Sequence, residues 1–135
     1  MTALTCADRS RDPGQGDTNN RSVFDPAGLV ERCMGEASAA FGLLGLFRDR
    51  LPGTIAEIRD RLLSLNDVPG ALATLHTLKG NAGNLCAGRL YQAASLLERT
   101  LRHEQFPDAA VQLADLQQEA ERFLRALPSD LETLI

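Results

Sequence analysis

Residues 72–87 read LATLHTLKGNAGNLCA, and the way this stretch winds decides the fold. As an α-helix it sets His76, Gly80, Gly83 and Ala87 on one strip, at offsets of 0, +4, +7 and +11. Leu75, Leu78, Ala82 and Leu85 fall on a different face, which gives the helix a side to bury. Lys79, one turn along from the histidine, is the only lysine among the fourteen Lys and Arg residues of the chain. A titratable imidazole is therefore set among residues with almost no side chain. The pattern displays a histidine.

Working outward, helical periodicity continues on both sides. Upstream, Leu44, Phe47, Leu51, Ile55, Ile58, Leu62 and Leu65 form an apolar stripe at steps of three and four, predicting a helix over residues 37–65. Pro52-Gly53 interrupts it, but the stripe keeps its phase, so one kinked helix is expected rather than two. Asp67 suits the N-cap of the next helix, residues 68–86, with Pro69 in its first turn. Gly88 is the expected reversal into a helix over residues 89–103 with Leu90, Ala94, Leu97 and Leu101 inward. A last long helix follows Phe106-Pro107, with Leu113, Leu116, Ala120, Phe123 and Leu127 inward, and Pro128 ends it.

At the front, Asp25-Pro26 predicts a short helix ending near Gly35, with Phe24 and Leu29 placed to form a hydrophobic staple. Residues 1–22 are polar and aperiodic and read as a disordered tail or linker; residues 23–135 read as one domain. Ser129 to Glu132 matches a capping box and predicts a final turn. Strand signals are missing. The fold class is all-α: an antiparallel up-down-up-down four-helix bundle with an extra short N-terminal helix across one end.

Composition narrows the function classes. With 135 residues the chain builds one domain, and with no Trp, one Tyr and five Phe its core rests on Leu and Ala. A net charge of −4 and the lack of any basic, aromatic-interleaved run argue against nucleic acid. No apolar run is long enough for a membrane span, and the first residues lack the apolar segment of a signal peptide. Cys6, Cys33 and Cys86 form no CxxC pair and the histidines, His76 and His103, lie far apart, so no metal or other cofactor is expected. Free thiols in a reduced cytoplasm are the plain reading, with the protein soluble and cytoplasmic.

The chemistry lies with the imidazole. Near pH 7 an unperturbed imidazole is largely neutral and nucleophilic, so it can attack phosphorus if a donor reaches it. On a helix, residues at i+4 and i+7 crowd that approach; here they are Gly80 and Gly83. Each glycine inside a helix costs about 1 kcal/mol relative to Ala, which points to a use for the open space. Close helix–helix packing is the alternative use. Lys79 at i+3 is within reach of a phosphoryl group on His76, and Asn84 could add a donor on the adjoining face.

HTLKGNAGNLCAGRL, followed by ASLLE, resembles the signature of histidine-containing phosphotransfer (HPt) domains of bacterial phosphorelays. FDPAGLVERCMG is similar to that family's N-terminal helix, the Leu51-Pro52 interruption recurs there, and the likeness covers about residues 23–127. The resemblance implies that His76 is the phosphoacceptor through Nε2, that Lys79 is the cation beside the phosphate, and that Gly80 leaves room for the partner. It implies a partner-facing set of Ala73, Gly80, Gly83, Asn84 and Ala87. Glu98 stands where several members carry a Gln that orients the ring, and Cys86 stands where the family usually has Gly, with Gly88 as the expected substitute.

The function so implied is a monomeric phosphocarrier that takes a phosphoryl group from a receiver-domain aspartate and relays it to another. Its partners would be receiver domains of response regulators and of hybrid sensor histidine kinases. The chain has no Gly-rich phosphate loop and no carboxylate cluster for Mg²⁺, so no ATP chemistry of its own is expected. Two rivals stand beside this reading: the phosphoacceptor domain of a larger hybrid or chemotaxis-type histidine kinase, and a helical interaction module never phosphorylated. His103, at a helix C-terminus, reads as structural.

Overall fold

In the computed structural model the structure describes residues 23–128. The expectations for residues 1–22 and for a turn at 129–132 lie outside that range. Five helices follow one another: α1 Pro26–Arg32, α2 Ala37–Leu63, α3 Val68–Asn84, α4 Gly88–Arg102 and α5 Phe106–Ala126. Among the described residues there is no strand. Each long helix packs on the next in sequence, and α2 also meets α5, which closes the four into a bundle.

The stripes face inward. Ala40, Leu44, Phe47, Leu51, Ile55 and Ile58 of α2 are buried, as are Leu75, Leu78 and Ala82 of α3. Leu90, Ala94, Leu97 and Leu101 of α4 and Leu113, Leu116, Ala120 and Phe123 of α5 complete the core. Pro52 sits inside α2, which runs through it as one element, with the ring on the exposed side. Leu65 departs from expectation. The helix ends at Leu63, so Leu65 falls in the turn and is exposed.

Two aspartates start helices as their sequence contexts predict. Asp25 accepts from Gly28 N–H and Asp67 from Gly70 N–H, each at 3.0 Å. In both, a Cβ on the glycine would meet the capping carboxylate, which would have to shift to keep its bond. Phe24 goes further than a local staple: its ring meets Phe123 edge-on at 5.7 Å, and Phe47 meets Phe123 from α2 at 5.5 Å. One aromatic trio thus ties the N-terminal segment to the bundle.

The turn after α3 corrects the reading of Gly88. Cys86 itself adopts the left-handed conformation, with φ +63°, and Gly88 is the first residue of α4. Ala87 N–H bonds Ala82 C=O at 2.9 Å and Cys86 N–H bonds Gly83 C=O at 3.3 Å, the paired closure of a Schellman motif. The same closure ends α1 and α4, with Met34 and Glu104 in the left-handed position. Cys86 C=O then accepts from Asp25 N–H at 3.0 Å, which seats α1 against this turn. The free-thiol reading holds for Cys33 and not for Cys86, which is disulfide-bonded.

Candidate functional site

The site forms where α3 and α4 face each other. His76 lies mid-way along α3, where the stripe of Leu75 and Leu78 fixes which side of the helix is buried. One step round, the imidazole is left outside, with 64% of its side chain exposed. Its Nδ1 meets Glu98 Oε2 at 2.9 Å. Glu98 rises from α4 beside Leu97 and Leu101, and only 6% of its side chain is exposed.

Three groups converge on that carboxylate. Lys79 Nζ is 2.7 Å from Oε1, while Arg102 Nη2 and His76 Nδ1 both meet Oε2 at 2.9 Å. Burial by itself pushes the Glu98 carboxyl up; hydrogen bonds from Lys79, Arg102 and His76 outweigh that and hold it at about 2. Glu98 is therefore a carboxylate across the physiological range, able only to accept. In a neutral imidazole the proton is then placed on Nδ1, and Nε2 keeps its lone pair on the solvent side. The arrangement fixes a tautomer and a direction.

The two glycines of the motif part company. Gly80 is exposed, and a Cβ added there would meet nothing within 4 Å, so no internal contact requires glycine. Gly83 is buried, and so is Ala87 in the turn. Gly83 lies in the last turn of α3 and Ala87 beyond its end, in the turn against which α1 is seated through Asp25 N–H and Cys86 C=O; both are covered, so neither stands on the open face where a partner was expected. Ala73, Gly80 and Asn84 are exposed, and with His76 they make the open face of α3.

Lys79 is placed differently from the sequence expectation. Its ammonium is engaged with Glu98 rather than standing free beside Nε2. Two features were missed altogether. Arg102 has its signal in the sequence, an acid and a base four apart on one helix (Glu98, Arg102). The other is a groove of about 500 Å³ between α2 and α3, lined by Leu43, Leu46, Arg50, Thr77, Asn81 and Asn84 among others. Leu43 and Leu46 are about half exposed there, off the buried stripe of α2.

A family model described as the Hpt domain matches residues 42–133. The chain belongs to the Hpt domain family. Hpt domains are phosphocarrier modules of two-component signalling; they work with receiver domains and histidine kinases and have no ATP site of their own. The all-helical bundle with its short N-terminal helix agrees with that membership. No curated protein and no solved structure matches the chain. Among the described residues, no helix is long and apolar enough to cross a membrane, and no group of His, Cys, Asp and Glu could hold a metal ion.

Proposed function

We propose that His76 takes a phosphoryl group from the aspartyl phosphate of one receiver domain and passes it to the aspartate of another. The observation that carries this reading is the pairing of an exposed imidazole with a buried carboxylate on its Nδ1. That pairing leaves Nε2 as the one ring position free to attack. In the first transfer the Nε2 lone pair forms a bond to phosphorus as the bond from phosphorus to the aspartyl oxygen breaks. The carboxylate leaves with that electron pair. The ring gains positive charge as Nε2 donates, and the Glu98 carboxylate meets that charge through Nδ1–H. The return step reverses these bonds onto a second receiver.

Phosphoryl transfer needs little covalent help beyond a well-placed nucleophile and compensation of charge. Here Lys79 supplies a cation next to the ring, held near it by Glu98 until a phosphoryl group offers a second anion. Gly80 supplies clearance. The groove with Leu43 and Leu46 lies beside the open face of α3 and offers apolar surface to the docking receiver. Ala73, Gly80 and Asn84 are the residues of α3 proposed to meet it.

The decisive experiment incubates the protein with a phosphorylated receiver domain and compares it with His76→Gln. Label that is acid-labile and alkali-stable, and lost in His76→Gln, supports the assignment. Label retained by the variant moves the site elsewhere. No label in the unaltered protein with several receivers favours an interaction module.

A further inference from the structure

A carboxylate on Nδ1 brings a difficulty that a neutral amide would not. It steers the ring during attack, but beforehand it also favours the imidazolium, which has no lone pair on Nε2 to give. The structure holds an answer in the way Glu98 is surrounded. Arg102 Nη2 lies 2.9 Å from Oε2, the same oxygen that receives His76 Nδ1, and Lys79 covers Oε1 at 2.7 Å. With Glu98 these two cations leave the cluster at a net charge of about +1, adjacent to the ring. Among the described residues, the charged groups paired with Glu98 come only from α3 (His76, Lys79) and α4 (Arg102); α2 and α5 contribute none.

We propose that Arg102 is a positioning residue for phosphoryl acceptance: by sharing Glu98 Oε2 with the imidazole, it offsets the carboxylate's charge and leaves the Nε2 lone pair of His76 available for attack. The pair Glu98–Arg102 then does what one neutral orienting amide would do, while keeping a carboxylate available for the positive charge that grows on the ring. Lys79, paired with Oε1, is the cation that would turn to a phosphoryl group; Arg102 stays with Glu98, from which it is spaced by one helical turn. Its side chain is 56% exposed, so its charge is partly screened and its effect is one of tuning.

This role rests on His76 being the phosphoacceptor, and the test separates the two claims. Phosphoramidate serves as donor: Nε2 bonds to phosphorus, the P–N bond of the donor breaks, and ammonia leaves with a proton from solvent. Initial rates of histidine phosphorylation are followed by ³¹P NMR from pH 5.5 to 9.5. The donor's own ionisation is common to all variants, so differences between profiles belong to the protein. In Arg102→Gln the alkaline plateau should remain close to that of the unaltered protein, while the midpoint of the rise moves up by about half a unit to one unit. For a midpoint that starts at the ordinary imidazole value of about 6.5, this reads at pH 7 as a rate about 1.5- to three-fold lower.

Arg102→Lys should restore the midpoint. In a Glu98→Gln background, where no carboxylate holds the guanidinium, adding Arg102→Gln should leave the midpoint in place. A loss equal at every pH, or a midpoint in Arg102→Gln that coincides with that of the unaltered protein, overturns this role for Arg102 and leaves the phosphoacceptor assignment standing. An unaltered protein that takes no phosphoryl group at His76 across the range overturns both.

Discussion

Two largely covered carboxylates tie neighbouring helices of this bundle, and only one of them is paired with an imidazole. Glu98 joins α3 to α4 through Lys79, His76 and Arg102. Glu119 joins α4 to α5: Arg89 grips it with two hydrogen bonds of 3.0 Å each, and Arg122 adds a third at 2.8 Å. Both are nearly covered, at 6% and 13% side-chain exposure, and each is held by two cations. Removing one partner of such a cluster leaves the other charge uncompensated, whatever the cluster contributes to net stability. What sets Glu98 apart is that one of its donors is an exposed imidazole whose other nitrogen faces solvent. The polar tie is common to both, and the extra donor on Glu98 is the one that the proposed function uses.

The sharpest way to break this comparison is to remove each carboxylate in turn. Glu98→Ala frees the imidazole to rotate and to choose its tautomer, and acceptance of phosphoryl from a receiver should fall on the order of 100-fold. Glu119→Ala should leave the transfer rate within about two-fold, because its cations do not touch the imidazole. Both variants need only a transfer assay and a circular dichroism melt. Equal losses of transfer in the two would reduce Glu98 to a clamp.

The second contrast concerns the partner rather than the chemistry. Gly80 has open space where a side chain would be, so Gly80→Leu should fold normally and still be phosphorylated by phosphoramidate. Transfer from a receiver domain should drop by roughly 10- to 100-fold, since the added side chain stands over the approach to Nε2. Gly80→Ala should raise stability by about 1 kcal/mol, as an exposed helix interior exchanges Gly for Ala. Gly80 is proposed to keep that space for a docking receiver, and a stable Gly80→Leu variant with unimpaired receiver transfer would overturn the proposal.

Acid sharpens the comparison on the stability side. The folded Glu98 carboxyl is held at about 2, below its ordinary value of 4.5. A depressed carboxylate stabilises the fold fully above its unfolded value, and that contribution is lost as pH falls from about 4.5 towards 2. The loss should be about 3 kcal/mol, seen as a lower urea midpoint at pH 2.5 than at pH 6. Glu98→Gln should flatten that part of the pH dependence.

Much of this is legible in the sequence. The helices, their inward faces and both aspartate caps follow from periodicity and from short-range rules that act within one turn. His76 was legible too, because a histidine flanked by glycines violates helix propensity in a visible way. What escaped depended on geometry between helices. Gly83 and Ala87 share the nominal strip of His76, yet α3 ends at Asn84 and both are buried at the end where α1 is seated, and only packing reveals that. Lys79 has a partner on α4 that no spacing within α3 could show. Cys86 took the left-handed turn position that a glycine two residues later was expected to fill, since the Schellman closure counts from the helix end and not from the best residue for it.

That last point leaves the smallest effect to test. Glu104 ends α4 in the left-handed conformation, φ +56°, in the same closure that Cys86 makes after α3. A side chain there costs about 1–2 kcal/mol, and a carboxylate at a helix C-terminus faces the negative end of the dipole. Glycine removes both penalties but adds chain entropy to the unfolded state, about 0.4–1 kcal/mol. Glu104→Gly should therefore gain about 0.5–1 kcal/mol in urea denaturation, with phosphotransfer unchanged, because this turn supports the α4–α5 end of the bundle and makes no contact with His76. A loss of stability would show that the turn is held by its side chain. A loss of transfer would mean that the far end of α4 sets the position of Glu98 and Arg102, and the site would then extend to the turn itself.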